Sequence, residues 1–454
     1  MTEKEWFKKF IFAFKMIYLL YLLLAFNSFV NGYQWMNLAA YGITAWGGIL
    51  CIWMLLRWKR YKKAAGIILL ELFALSYVVS AVTHISYAGA VENAKGFIWL
   101  VLPGLLVYAS SFDMSKEEMH KEFISLASLY VVYCTVANTI SLSMLAWGWK
   151  YDYTDPTGTI HSVGYRWGRL WGIYDDPNHG ATISAIAVFL LIYLFGKARK
   201  LWQKILFAIC GVIQYAYIAF SDSRTGMLCL VTGILFYTVL QIMRDRRTAG
   251  KRLLVLIAAV IAIFAGDAAL KAAYAPIDAM MRKREAQNIS APANNNRKQK
   301  LKQDYSNGRM ELWTSGLEIM ESSPVIGVGY RNMSGYAQKH FPDSYMVKNA
   351  ARILYDSMHN LEMDVLVSQG IVGMALFLAF LIHMLWKIIR RFSVLQKADD
   401  NFIAVMLSAA LALGMASTFL SFIFYVNAPQ SFYFWLFLGY GMHTLAKETE
   451  ESIE

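Results

Sequence analysis

The sequence predicts an all-α, polytopic integral membrane protein with about twelve transmembrane helices and a large extracytoplasmic loop domain. Three observations predict it. Hydrophobic residues make up 57% of the 454-residue chain and aromatic residues 15%, against roughly 45–50% apolar in soluble domains. Charged residues are only 16%, where soluble domains carry about 25%. Apolar stretches near the spanning length of roughly 20 residues recur along most of the chain. This composition excludes a soluble enzyme, a disordered chain and a disulfide-stapled secreted module.

In order, the apolar stretches lie near 10–30, 36–56, 64–82, 96–111, 123–147, 179–196, 205–220, 225–243, 253–270, 363–386, 402–426 and 430–446. The first follows Lys4, Lys8 and Lys9 and leads into no clear small-residue cleavage site, so it reads as a retained span. Cys51, Cys134, Cys210 and Cys229 fall inside apolar stretches without paired spacing, which reads as small buried hydrophobes, not as disulfides or a metal knuckle. Most connections are short. Segments 148–178 and 271–362 are not, and the second is long enough to fold as a small domain. The implied organisation is a membrane bundle of about nine spans over 1–270 (with the loop 148–178), a loop domain over 271–362, and a bundle of about three spans with a short tail over 363–454.

Charge gives the orientation. The net charge is +12, from 43 Lys and Arg against 31 Asp and Glu. The surplus sits in every second short loop: Arg57 to Lys63, Lys197 to Lys200, Arg244 to Arg252, and Lys387 to Arg391, with Lys116 and Lys121 on the same side. That is the positive-inside pattern of a membrane protein, and no nucleic-acid partner is expected. Both chain ends are then cytoplasmic, and 148–178, 271–362 and the turn Ser221–Arg224 fall outside.

Polar residues that membrane burial makes costly are the ones to examine for chemistry. In Phe220-Ser-Asp-Ser-Arg224-Thr-Gly226 an arginine stands at a helix start, where its planar fork and the terminal amides both suit phosphate oxygens. Snorkelling to lipid headgroups is the competing reading; the outer location weighs against it. In Asn307-Gly-Arg309-Met-Glu-Leu-Trp313 a second arginine opens a helix whose apolar positions Met310, Trp313, Leu317 and Met320 recur at helical spacing. A solvated surface helix is the plainer reading of that spacing. In Asp356-Ser-Met-His359-Asn360-Leu-Glu-Met-Asp364 a histidine precedes a span. Imidazole accepts a proton near neutrality, and Glu362 and Asp364 are placed to orient it; a structural interfacial histidine is the alternative. The 148–178 segment adds Arg166, Arg169, Asn178 and His179. Its Asp175-Asp176-Pro177 reads as a turn or helix cap, with no second carboxylate cluster to complete a metal cage.

Four stretches in this order resemble the bacterial O-antigen ligase and O-antigen (capsular) polysaccharide polymerase family, integral membrane glycosyltransferases of the C-type architecture. They are Arg169-Leu-Trp-Gly172 with Pro177-Asn178; Ser221-Asp-Ser-Arg224; Asn307-Gly-Arg309 with Trp313 and Pro324 to Gly329; and His359-Asn360 with Gly370-Ile-Val-Gly373. The resemblance covers about 169–373, and the very basic stretch 282–302 departs from it. It implies a donor glycan on undecaprenyl diphosphate, a glycan or lipid-linked acceptor hydroxyl, and metal-independent, inverting transfer without a cofactor. It also implies a site on the outer face of the cytoplasmic (inner) membrane. Carried over, Arg224 and Arg309 hold the donor diphosphate, and His359 deprotonates or orients the acceptor. Arg169, Arg166, Asn178 and Asn360 are candidate substrate contacts. Trp167, Trp171, Tyr174 and Tyr330 offer stacking surfaces for sugars. A chain-length regulator is a partner compatible with the resemblance.

The motifs do not separate a polymerase from a ligase. A polymerase needs no dedicated second acceptor, which favours it slightly. A lipid-linked glycan flippase or transporter is the alternative; it would line mid-membrane with charge, whereas mid-span charges such as Lys15 and Glu71 are few. A non-catalytic membrane scaffold would tolerate loss of Arg224, Arg309 and His359.

Overall fold

Fourteen stretches of helix carry the argument in a computed structural model that describes residues 3–154, 160–166, 168–288, 306, 308–349, 352–391 and 401–451. They are α1 (Glu3–Ala25), α2 (Gln34–Leu56), α3 (Ile67–Thr83), α4 (Gly89–Leu102), α5 (Lys116–Trp147), α6 (Pro177–Lys197), α7 (Leu201–Ser221), α8 (Arg224–Arg244), α9 (Ala249–Asn288), α10 (Arg309–Ser322), α11 (Met333–His340), α12 (Leu361–Arg390), α13 (Phe402–Ser417) and α14 (Pro429–Glu451). Every apolar stretch read from hydropathy coincides with one of these helices. Among the described residues eight helical stretches are long and apolar enough to cross a membrane, and α3 and α13 are shorter apolar helices. The chain is a helical, multi-pass membrane protein. Trp167, Asn307 and the basic run 294–302 lie outside the described residues, as do the side chains of Arg282 to Arg284.

One span is shorter than expected. The stretch 402–426 was predicted as a single helix, but α13 stops at Ser417. The following segment is irregular, with Tyr425 in the left-handed region at φ 61°. Hydropathy cannot tell such a segment from a helix, because Phe422, Ile423, Phe424 and Tyr425 are all buried. Irregular backbone at membrane depth is tolerated where protein covers it. Here the Ile423 carbonyl accepts from Ser431 Oγ at 3.0 Å and from Trp435 Nε1 at 3.2 Å.

The chain divides into two units. The first comprises Met1–Lys15, Tyr41–His120 and Ser306–Glu454. Its distinctive feature is a turn, Pro324 to Gly329, laid against the kink of α12. Val328 and Gly329 donate to the carbonyls of Val367 and Ser368 at 3.0 and 2.8 Å, and Ile371 donates back to Pro324 at 2.9 Å. Glycine makes this approach possible. Gly327 (φ 65°) and Gly370 (φ 61°) are left-handed, and a Cβ on either would collide with backbone of the other strand of contact, at Ser368 and Gln369 or at Val325.

The second unit comprises Met16–Ala40 and Lys121–Tyr305. Helix α6 is sandwiched by α7 and α8, whose close approach uses Gly180 against Tyr217 and Gly226 against Ala181. The 148–178 segment folds into a three-stranded antiparallel sheet of β1 (Lys150–Thr154), β2 (Ile160–Arg166) and β3 (Arg169–Gly172). Lys150 pairs with Gly164 and Arg166 with Arg169, with a bulge at Gly164–Tyr165. The sequence reading named no strand there, since the exposed β1 shows no apolar alternation. All four cysteines are buried and unbridged.

Candidate functional site

Three helices that start at the sequence motifs begin with a side-chain cap. Asp176 Oδ1 accepts from the backbone N–H of Asn178 at 2.6 Å and of His179 at 3.2 Å, opening α6. Ser223 Oγ accepts from Gly226 at 3.2 Å, opening α8. Asn360 Oδ1 accepts from Met363 at 2.8 Å, opening α12. Each cap uses one of the amides a helix leaves unpaired at its start. The remaining N-terminal field favours an anion.

In the second unit Arg169, Asn178 and Arg224 come together. Arg169 on β3 donates through Nε to the Ser221 carbonyl at 2.7 Å and through Nη2 to Asn178 Oδ1 at 2.6 Å. Asn178 Oδ1 also accepts from Ser223 Oγ at 3.1 Å. The half-buried Arg169 thus brackets the end of α7 and the starts of α6 and α8. Arg224, the first residue of α8, is exposed. Arg169 and Asn178 are therefore committed to holding the turn that presents Arg224. Arg166 instead belongs to the sheet: Nη2 lies 2.9 Å from Asp152 Oδ1. His161 Nδ1 is 3.4 Å from Asp175, which also accepts from Ser28 at 2.7 Å and from Asn31. Burial pushes the Asp175 carboxyl above its ordinary value, opposed by the Ser28 bond and the nearby His161.

In the first unit Arg309, His359 and Asn360 share a local frame. His359 is left-handed (φ 49°), unusual for a residue other than glycine. Three contacts hold it so. Asp364, fully buried, accepts from Ser357 Oγ and from the Met358 N–H, both at 2.7 Å, and Ser357 Oγ accepts from the His359 N–H at 3.0 Å. Asp364 was expected to orient the imidazole; it acts on the backbone that carries it. Glu362, the other expected partner, is half-buried. Asn360 Nδ2 donates to the Thr418 carbonyl at 3.0 Å, so one end of this amide caps α12 and the other ties it to the end of α13.

Helix α10 joins Arg309 to the same frame. Trp313 Nε1 donates to the Met358 carbonyl at 3.0 Å, and Gly316 lies against Met358, Met363 and Val367. The buried face of α10 is Leu312, Ser315, Gly316 and Ile319. The face expected from Met310, Trp313, Leu317 and Met320 is not the inner one, since Met310 and Leu317 are exposed. The contact sets Ser315 and Gly316 between Leu312 and Ile319, and the two small residues, whose lack of bulk allows the backbones to approach, are passed over by an apolar count. Gly308, left-handed at φ 79°, packs on Tyr345; the Tyr345 ring stacks on Tyr355 at 6.1 Å, and Tyr355 meets His359 edge-on at 5.8 Å. Burial pushes the Tyr355 phenol above its ordinary value, so it stands neutral beside the imidazole. Tyr330 is buried and stacks on Tyr425 at 4.6 Å, which leaves little of its face for a sugar.

The fold and these motifs define a polytopic helical membrane protein with Arg224 and His359 at capped helix starts and Arg309 at a start opened by Gly308. Residues 210–378 match the family model for the O-antigen ligase domain, Wzy_C, and this match supports assigning the chain to the O-antigen ligase family. The matched region contains Arg224, Arg309, His359 and Asn360, and stops short of Arg166, Arg169 and Asn178. The family is a glycosyltransferase-like enzyme class of membrane glycan transfer. Among curated proteins none matches the chain.

Proposed function

We propose that the chain transfers a glycan from undecaprenyl diphosphate to an acceptor hydroxyl on the outer face of the cytoplasmic membrane, most simply as a polysaccharide polymerase whose acceptor is another lipid-linked repeat unit. The observation that carries this reading is the exposed Arg224 at the start of α8, held by the Arg169–Asn178–Ser223 bracket. A solvent-reaching guanidinium at a helix N-terminus suits a diphosphate. Basic loops on the opposite side support the orientation.

In the proposed reaction the acceptor oxygen attacks the anomeric carbon from the face opposite the diphosphate, with inversion. The bond from that carbon to the phosphate oxygen breaks, and the electron pair leaves on undecaprenyl diphosphate. His359 takes the acceptor proton. Arg224 and Arg309 stabilise the charge gathering on the leaving group, without a metal. On this reading Arg169 and Asn178 hold the turn that presents Arg224, Asn360 caps the helix that follows His359, and Arg166 stays with the sheet through Asp152.

The test is elongation by the purified full-length protein, with an undecaprenyl diphosphate-linked repeat unit and EDTA present. Ladders from the wild type, lost in Arg224→Ala and His359→Ala, support the polymerase. Transfer only to an added foreign acceptor makes it a ligase. An intact substrate that instead changes leaflet in proteoliposomes overturns transfer in favour of transport.

A further inference from the structure

After Arg252 helix α9 runs apolar until Asp267 and Lys271, two charges one turn apart. Charges in such a helix are costly and call for a partner. Lys271 Nζ lies 3.1 Å from Asp267 on its own helix and 2.9 Å from Asp222 Oδ1 on the turn between α7 and α8. Asp222 is itself left-handed, at φ 49°, two residues before Arg224. The same face of α9 meets the turn again three residues on. Tyr274 packs edge-on against Phe220 at 5.4 Å and donates to the Leu145 carbonyl at 3.2 Å. Below it, Gly266 leaves room for the Tyr215 ring, whose hydroxyl bonds the Ile263 carbonyl.

We infer that Lys271 is a positioning residue for donor recognition: its ammonium counters Asp222 and so keeps the Ser221–Arg224 turn receptive to a diphosphate. The inference rests on the proposed role of Arg224. An acidic residue two positions from a phosphate-binding arginine opposes the ligand through space, by an amount that a facing cation offsets. Lys271 supplies that cation from an element outside the turn. It is partly exposed, as is Asp222, so the pair stands where its field reaches a ligand at the turn. The effect is electrostatic, and charge at either member controls it.

The experiment measures binding of undecaprenyl diphosphate to full-length protein in nanodiscs, with undecaprenyl monophosphate as comparison. Lys271→Met is expected to weaken diphosphate binding about tenfold, with less effect on the monophosphate. Adding Asp222→Asn to that variant restores the local charge and should bring binding back to within about twofold. Lys271→Arg should bind like the wild type. Asp222→Asn alone should bind more tightly, which keeps the test open if Lys271→Met does not fold. A double variant that stays as weak as Lys271→Met, or an Asp222→Asn that binds no better, makes the pair a structural tie and overturns the inference. Unchanged binding in Lys271→Met beside weakened binding in Arg224→Ala also overturns it while leaving the proposed function standing. Unchanged binding in Arg224→Ala removes that reading and the inference with it.

Discussion

Asp364 accepts the backbone N–H of Met358 at 2.7 Å, from within the first turn of α12, and its other oxygen takes Ser357 at the same distance. A buried carboxylate thereby fixes the left-handed turn on which His359 sits. Removing one of its two acceptor oxygens should misplace the imidazole without touching it. Asp364→Asn is expected to lower kcat about 10²-fold, the order seen when a reacting group is displaced by about 1 Å. His359→Ala should cost 10²- to 10⁴-fold, the usual range for a general base. Rates of glycan elongation with saturating donor check both. Activity near wild type in Asp364→Asn would make the turn irrelevant to the chemistry.

The turn that presents Arg224 is held where Arg169 and Ser223 converge on Asn178. On the proposed reading Arg224→Ala loses one leaving-group contact, worth about 10²- to 10³-fold in kcat. Arg224→Lys keeps the charge but not the planar fork, so it should recover only part of the loss. Asn178→Ala loosens the turn without removing the guanidinium, so it should lower kcat less than Arg224→Ala does. Steady-state kinetics across donor concentrations separates the three.

The two glycine-rich motifs meet. Gly327 and Gly370 are both left-handed, and each would place a Cβ in the backbone of the opposite segment. Gly327→Ala and Gly370→Ala each add a left-handed alanine, at about 1–2 kcal/mol, to overpacking of about 1–3 kcal/mol. Each should lower the thermal midpoint in detergent by an amount corresponding to roughly 2–5 kcal/mol. Gly48→Ala is the control: it has open space at its Cβ position and an ordinary φ, and it should leave the midpoint nearly unchanged.

What the sequence made legible follows from the physics of each feature. Spans announce themselves through runs of apolar residues, so all twelve stretches found a helix. The irregular segment after Ser417 escaped because it is as apolar as a span. The caps Ser223 and Asn360 were readable as short polar residues at helix starts, although their roles as caps were not assigned. The contacts that organise the motifs were hidden. Arg169 reaches Ser221 across 52 residues of chain, and Ser80 binds the Ser368 carbonyl across 288. No local pattern records such pairs. Lys271 lies just past the apolar stretch 253–270, and only the fold sets Asp222 against it.

Asp175 offers a titration with a definite sign. Burial raises its carboxyl above the ordinary carboxylate value, while Ser28, Asn31 and His161 favour the charged form. The folded protein therefore holds this proton more tightly than the unfolded chain does. The stabilisation from protonation is complete below the ordinary value and is lost as pH rises through the raised one. Asp175→Asn cannot titrate. The difference in thermal midpoint, wild type minus Asp175→Asn, should accordingly shrink as pH rises above the ordinary carboxylate value. His161→Gln tests the cause: it removes the side chain 3.4 Å from the carboxylate, and the shrinkage due to burial should remain. A difference that stays level with pH in the His161→Gln background would overturn burial as the cause.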